Sequence, residues 1–225
     1  MKRLFSAALA VIMTLSLAAC SGSTQIKDFT TAELSQILST AISENSDGMV
    51  DVITTDSLNA ATNWLTENKG MSQEEAKAFM DEYTALPYED IEATLTAKGF
   101  SAEDQEAFMT AENIALSSQM IFDTLGFAPE DIEAGALSVS LINVRAYGMA
   151  VIKPAAGKEE AVLSGCQNFV ALQQKSFETY LQDQYAIAKN AKCENLNGYV
   201  VMVMGENSDA IYQAISDRSE ERRVG

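Results

Sequence analysis

The stretch Asn197-Gly-Tyr-Val-Val-Met-Val-Met204 decides the fold of this chain. Asn-Gly between two extended segments is typical of a two-residue β-hairpin turn, since both residues tolerate positive φ. Every residue from Tyr199 to Met204 is apolar, which predicts a central strand that is covered on both faces. Its predicted partner strand is Lys189–Leu196. We therefore predict a hairpin within a small, mainly antiparallel sheet.

Predicted helices flank this hairpin on both sides. After it, Ser208 is predicted to cap a final helix. Before it, residues 138–152 are rich in Val, Leu, Ile and Tyr and are predicted to be extended. Between the two, Gly157 and Lys158 begin a long helix. The apolar face of that helix is formed by Val162, Cys166, Phe169, Val170, Phe177, Tyr180 and Leu181. Together these elements predict an α+β domain over residues 137–217.

The part before this domain, residues 30–136, is predicted to be helical. Thr30 with Glu33 has the spacing of a capping box, and Ser72 with Glu75 has the same spacing. The predicted fold class is therefore α+β, with an N-terminal helical part followed by a small, mainly antiparallel sheet packed with helices. Residues 218–225 look like the translation of a sequencing adapter and are left out of this prediction. The alternative is a genuine basic tail.

The N-terminus has the three zones of an export signal. Lys2 and Arg3 are followed by an apolar run, Leu4–Leu17, which is too short for a permanent membrane span. Leu17-Ala-Ala-Cys20 resembles the bacterial lipobox. We therefore expect residues 1–19 to be cleaved between Ala19 and Cys20, and Cys20 to carry diacylglycerol. The alternative is an ordinary signal peptide that ends near a cysteine.

A lipidated Cys20 predicts where the protein works. Two or three acyl chains on one residue hold a protein durably in a bilayer. The expected location is thus the cell membrane, with the protein lipid-anchored on its extracytoplasmic face. Residues 20–29 begin with a short polar stretch containing Gly and Ser, which is predicted to be a tether.

Composition excludes several functions. The chain has no histidine, which removes Ser-His and Cys-His nucleophile pairs and histidine zinc sites. Loss of residues 1–19 removes two basic residues and no acid, so the net charge goes from −17 to −19. Such a surface repels nucleic acid, which is therefore not an expected partner. Apart from the lipid on Cys20, no cofactor or metal is expected.

Four short stretches resemble a known family. They are Ile142-Asn-Val-Arg-Ala146, Gln174-Lys-Ser-Phe-Glu-Thr-Tyr180, Gln184-Tyr185 and Asn197-Gly-Tyr-Val-Val-Met202. With them, residues 125–215 resemble the bacterial lipoprotein family called domain of unknown function 4358. The resemblance implies a lipid-anchored cell-surface protein and no particular reaction. Members often carry an acidic pair after the position of Ala146, whereas this chain has Tyr147-Gly148.

Polar and aromatic residues of these stretches form the candidate binding site, which consists of Gln174, Tyr180, Gln184 and Tyr185. The functional hypothesis is a rim of hydrogen-bonding and stacking groups for an envelope glycan, a peptide or a partner protein. The alternative is that both tyrosines belong to the core and only their hydroxyl groups reach the surface.

Cys166 and Cys193 are the two cysteines that remain after lipidation of Cys20. Both are predicted to face inward, one from the long helix and one from the hairpin. A disulfide between them is feasible outside the cell. The alternative is two free thiols that act as small buried apolar residues.

These observations leave three functional hypotheses. The first is a non-catalytic surface lipoprotein that binds or scaffolds a partner at the envelope. The second is an accessory subunit for the synthesis or modification of an envelope polymer. The third is a carboxylate-dependent hydrolase, which requires two acids in one cleft and a raised pKa on one of them.

Overall fold

The computed structural model describes residues 28–46, 51–142 and 144–224, with side chains described as far as residue 219. The α-helices of this part are α1 (Thr31–Asn45), α2 (Ala60–Lys69), α3 (Gln73–Tyr83), α4 (Ile91–Ala97), α5 (Ala102–Leu125), α6 (Glu159–Phe177), α7 (Gln182–Lys189) and α8 (Ser208–Val224). The strands are β1 (Ile53–Thr54), β2 (Ile132–Val139), β3 (Gly148–Pro154), β4 (Lys192–Leu196) and β5 (Tyr199–Met204). The predicted α+β class is confirmed. The predicted signal peptide, Cys20 and most of the predicted tether lie outside the described residues.

One antiparallel sheet organises the molecule, with strand order β1-β2-β3-β5-β4. Asn197 and Gly198 have φ angles of 56° and 90°, so the predicted two-residue hairpin turn is confirmed. All six residues of β5 are buried. The prediction of an interior strand covered on both faces is therefore also confirmed.

Helices cover both faces of the sheet, and β5 contributes alternate residues to each side. Val200, Met202 and Met204 pack against α6 and the C-terminal end of α5. The other three residues of β5, which are Tyr199, Val201 and Val203, pack against α1 and α8. This alternation is the period of two that a strand buried on both faces requires.

A third cluster of buried residues lies within α2, α3, α4 and α5. Phe100 and Phe108 pack there against Trp64 and Phe79, with ring centroids 5.6 to 5.8 Å apart. Helix α5 belongs to two clusters, since Phe108 lies here and Phe122 lies under the sheet. The capping boxes predicted at Thr30 and Ser72 are both present and start α1 and α3.

The sheet is larger than the sequence predicts. Strand β2 begins at Ile132, within the part predicted to be helical, and β1 pairs with it. Helix α1 also packs on the sheet. Residues 138–152 do not form one extended segment, because a loop over residues 140–147 separates β2 from β3.

Three predicted element boundaries near the hairpin are wrong. The long helix ends at Phe177, so Tyr180 and Leu181 lie in a turn before α7. Residues 189–191 are not extended, and β4 begins at Lys192. Leu181, Tyr185 and Ala188 follow helical spacing and contact the sheet core, which explains α7. At the last helix, Ser208 is the first helical residue and its hydroxyl donates to the Asn190 carbonyl at 3.4 Å, rather than capping the helix.

Candidate binding surface at the β2–β3 loop

The loop between β2 and β3 exposes aliphatic side chains at its tip. We call residues 140–147 the apolar loop. Within it, Ile142 is 68% exposed, Val144 is 66% exposed, and Leu141 is also exposed. Single exposed apolar residues are common, but a group of neighbouring ones on a loop marks an interaction surface. The sequence prediction missed this loop because its apolar residues have the composition of a strand. Polar Ser140, Asn143 and Arg145, which interrupt the run, are the signal that could have revealed it.

The base of the apolar loop is fixed to the sheet. The backbone N–H of Ser140 donates to the carbonyl of Tyr147 at 3.2 Å. The Tyr147 hydroxyl is buried and forms a hydrogen bond of 3.0 Å with the Ser138 hydroxyl. The exposed guanidinium of Arg145 lies 5.3 Å from the centre of the Tyr147 ring, within the range of a cation–π contact. The loop therefore presents its tip on a defined support.

Gln184, one of the predicted site residues, supports the apolar loop from α7. Its Oε1 accepts a hydrogen bond of 2.9 Å from the backbone N–H of Ala146. Its Nε2 donates to the Asp183 carboxylate at 2.9 Å, and this bond holds the pKa of Asp183 below its usual value. The structure thus brings together two of the stretches that carried the family resemblance.

The other predicted rim residues are divided between support and surface. Gln174 Nε2 donates to the Ala188 carbonyl at 3.0 Å, which ties α6 to the end of α7. Tyr185 is half-buried against the sheet core, which agrees with the core alternative for this residue. Tyr180 is 55% exposed, and its ring centroid lies 6.1 Å from that of Phe177. Of the four residues, Tyr180 thus offers the most surface to a partner.

The structure explains why this chain has no acidic pair after Ala146. Tyr147 is buried on the side of the sheet that α1 and α8 cover. A Cβ atom on Gly148 would lie 2.6 Å from Cε1 of Phe169, which leaves no room for a carboxylate side chain. A buried carboxylate without a partner is also strongly unfavourable. The apolar loop therefore joins β3 through Tyr147 and Gly148, two residues that fit a closely packed environment.

The apolar loop and the start of the described chain lie at opposite ends of the sheet. Asp28 forms an ion pair with Lys153, near the end of β3. It also accepts a hydrogen bond of 3.4 Å from the hydroxyl of Tyr199, the first residue of β5. The apolar loop joins the other ends of β2 and β3. An eight-residue strand such as β2 spans about 26 Å, which sets the scale of this separation.

Among α4, α5 and the turn before α4, the helices leave an open cleft of about 560 Å³. Tyr88 at its edge is 82% exposed, and Glu89, Glu92 and Glu106 lie along it. This cleft is one place where the hydrolase hypothesis would put its acids; a second cleft, of about 470 Å³, is lined by Glu75 and Glu82. Among the described residues, the carboxyl groups whose pKa clearly departs from its ordinary value are Asp28, Glu75, Asp104, Asp131, Asp183 and Asp209, and for each of these the pKa is lowered by hydrogen bonds.

The described residues provide no cage for a metal ion, since no three Cys, Asp or Glu side chains converge. None of the described helices is long and apolar enough to cross a membrane.

Cys166 and Cys193 are both free thiols, the first buried and the second half-buried. Their side chains are in hydrogen-bond contact with each other. The structure therefore brings the predicted cysteine pair together in reduced form.

Comparison with known protein families gave a match. The model of the family described as domain of unknown function (DUF4358) matches residues 107–205. This supports the domain family that the four stretches indicate, over a segment that includes the apolar loop, α6, α7 and the hairpin. Searches of the curated proteins and of the solved structures found no match.

Proposed function

We propose that this chain, with its DUF4358 segment, is an envelope lipoprotein anchored through diacylglycerol on Cys20. In this proposal it acts without catalysis, as a binding or scaffolding protein on the extracytoplasmic face of the cell membrane. The observation that supports the binding role is the apolar loop, whose exposed aliphatic tip stands on a hydrogen-bonded base. Exposure of apolar side chains to water is unfavourable, and a partner that covers this tip would remove that free-energy cost.

The chemistry of the tip favours a protein partner over a glycan. Leu141, Ile142 and Val144 are aliphatic, and such side chains are best buried in an apolar groove. Sugar rings stack instead on aromatic faces and need several hydrogen-bonding groups. Arg145 adds an exposed positive charge on a protein whose net charge is −17. The expected partner is therefore an envelope protein with an apolar groove that has a carboxylate at its edge.

The position of the apolar loop also supports a partner other than the membrane itself. Asp28 lies at the opposite end of the sheet. The eight residue steps between Cys20 and Asp28 reach at most about 28 Å when fully extended. An anchor at Cys20 would thus keep Asp28 within about 28 Å of the bilayer, whereas the apolar loop lies at the end of the sheet farther from this attachment.

The anchor is tested with the Cys20→Ala variant. Cells that express the wild-type chain are fed an alkyne fatty acid and then fractionated. We expect label on the wild-type protein and none on Cys20→Ala, which should also leave the membrane fraction. A wild-type protein that carries no label would remove the lipid anchor from the proposal.

The loop is tested by photo-crosslinking on intact cells, with the photoreactive residue at Ile142. Leu116 is the matched control, because it is an aliphatic residue that is 54% exposed on α5. We expect a discrete protein adduct from position 142, none from position 116, and loss of the adduct when Val144→Ser is added. Identical adducts from both positions would contradict a specific surface.

Two further outcomes would redirect the proposal. An adduct with a membrane enzyme of polymer synthesis would favour the accessory-subunit hypothesis. Flotation of the Cys20→Ala protein with anionic or zwitterionic vesicles, abolished by Ile142→Ser, would identify the membrane as the occupant of the loop and overturn the protein partner. Neither outcome depends on the anchor test.

A further inference from the structure

Cys166 and Cys193 meet where α6 packs on the edge strand of the sheet. Cys166 lies on the sheet-facing side of α6 and is fully buried. Cys193 lies on β4, opposite Met202 of β5, and packs against the same cluster. The two thiols are in hydrogen-bond contact, although 26 residues separate them along the chain.

The two thiols differ in access and in acidity. Cys193 is half-buried on the edge strand, whereas Cys166 is covered by the core. The hydrogen bond from Cys166 lowers the pKa of the Cys193 thiol. The same hydrogen bond and burial raise the pKa of the Cys166 thiol. Because the thiolate is the nucleophile, Cys193 is the residue that reacts first with an external disulfide.

We propose that Cys166 and Cys193 form a reversible disulfide that fastens α6 to the edge strand β4. The oxidant is a small disulfide or a protein disulfide outside the cell. The Cys193 thiolate attacks one sulfur of that disulfide, which gives a mixed disulfide on Cys193 and releases one thiolate. Cys166 then gives its proton to solvent and attacks Cys193 Sγ, which releases the second thiolate. Two protein thiols are oxidised as one external disulfide is reduced to two thiols.

The bond would close a segment that supports the apolar loop. Residues 167–192 lie between the two cysteines and contain all of α7. Gln184 on α7 accepts the hydrogen bond from Ala146 of the apolar loop. Oxidation would therefore restrict motion of the element that supports the candidate binding surface. The chemistry of the pair itself does not depend on the proposed partner or on the lipid anchor.

The test uses the full-length chain with Cys20→Ala in detergent, so that Cys166 and Cys193 are the only cysteines. The protein is incubated with oxidised glutathione and digested without reduction. We expect one peptide pair joined through Cys166 and Cys193, a mass lower by two hydrogens, and a Tm raised by about 8 °C that dithiothreitol reverses.

Single variants test the order of the two steps. Cys166→Ser should stop at the mixed disulfide, with one glutathione on Cys193 and no rise in Tm. Cys193→Ser should stay unmodified, because Cys166 is buried. Cys166→Ala replaces Cys166→Ser if the serine variant does not fold.

Three results would overturn the proposal. They are glutathione on both cysteines of the parent protein without a joined peptide pair, a disulfide between two copies of the chain, and two thiols that stay reduced in the presence of oxidised glutathione. Each is read directly from the masses of the intact protein and its peptides. None of them bears on the anchor at Cys20 or on the adduct at Ile142.

Discussion

Strand β5 and the apolar loop have similar residues and opposite environments. All six residues of Tyr199–Met204 are buried between two layers of helices. Leu141, Ile142 and Val144, which belong to a run of equally apolar character, are exposed. The difference is in the pairing: β5 is hydrogen-bonded to strands on both sides, whereas the loop tip has no strand partner among the described residues. Apolar character therefore distinguishes a core from an interaction surface only after strand pairing is known.

The largest expected effect comes from placing one acid in each environment. Val201→Asp should reduce the free energy of unfolding by more than about 4 kcal/mol, because it buries an unpaired carboxylate between α1, α8 and the sheet. Val144→Asp should change it by less than about 0.5 kcal/mol. Urea unfolding followed by circular dichroism measures both. Equal losses would show that the loop tip is part of the core.

A smaller effect is expected where the apolar loop joins β3. Gly148→Ala should cost about 1 to 3 kcal/mol of unfolding free energy, because the new Cβ would lie 2.6 Å from Phe169 Cε1. Gly135→Ala on β2 is the control, since its Cβ would meet its nearest atom at an ordinary 3.4 Å. The same urea titration compares them. A Gly148→Ala protein as stable as Gly135→Ala would argue against tight packing at this junction.

Removal of the support of the loop should have a still smaller effect on stability. Gln184→Ala takes away the acceptor of the buried Ala146 N–H and should cost about 1 kcal/mol. Hydrogen exchange of the Ala146 amide should become faster at the same time. Gln182→Ala is the control, because Gln182 contacts only the exposed turn at Glu178 among the described hydrogen bonds. Unchanged exchange at Ala146 would contradict a supporting role for Gln184.

The smallest effect is expected at a partly buried ion pair in the helical part, outside both apolar regions. Lys69 Nζ lies 2.6 Å from Asp104, and this contact, together with hydrogen bonds from Ser101, lowers the pKa of that carboxyl to about 2. Because the pKa is lower in the folded state than its ordinary value of 3.8, the ion pair stabilises the protein above about pH 4 and this contribution is lost as pH falls towards 2. Between pH 4 and pH 2, the Tm of Lys69→Met should therefore fall less than the Tm of the wild-type chain.

The control for this titration is Lys77→Met, since Lys77 belongs to none of the described ion pairs. Its Tm should follow that of the wild-type chain over the same pH interval. If Lys69→Met also follows wild type, the ion pair contributes nothing measurable, as is common for ion pairs near a protein surface.

Sequence predicts helix starts and turns correctly where they depend only on residues that are neighbours along the chain. The capping boxes at Thr30 and Ser72 and the Asn197-Gly198 turn require only residues within four positions of each other, and all three are present. Tyr199–Met204 was predicted as a strand because its burial on both faces makes every position apolar. In the candidate site, the family-like stretches contain Gln184 and Tyr180 and also Ile142 and Val144 of the loop tip, but only the polar and aromatic residues among them were predicted as site residues.

The limits of local sequence are clearest in a repeated pentapeptide. Glu-Asp-Ile-Glu-Ala occurs at residues 89–93 and again at residues 130–134. In both copies a 3-10 turn ends at the Asp residue. The first copy then begins α4, whereas the second begins β2. The residues after each copy decide between helix and strand: Leu95 packs into the helical cluster, while Gly135 and its successors pair with β3. Such pairing lies beyond the reach of local pattern.

The cover that α1 and α8 give to one face of the sheet has a consequence for any shortened form of the protein. The segment 107–205 holds the apolar loop and both cysteines, yet it contains neither of these two helices. As an isolated fragment, this segment would expose to solvent the face of the sheet that carries Val151, Val201 and Val203. Such a fragment would self-associate through this exposed apolar face. Work on the candidate surface therefore needs the chain from Asp28 to the end of α8.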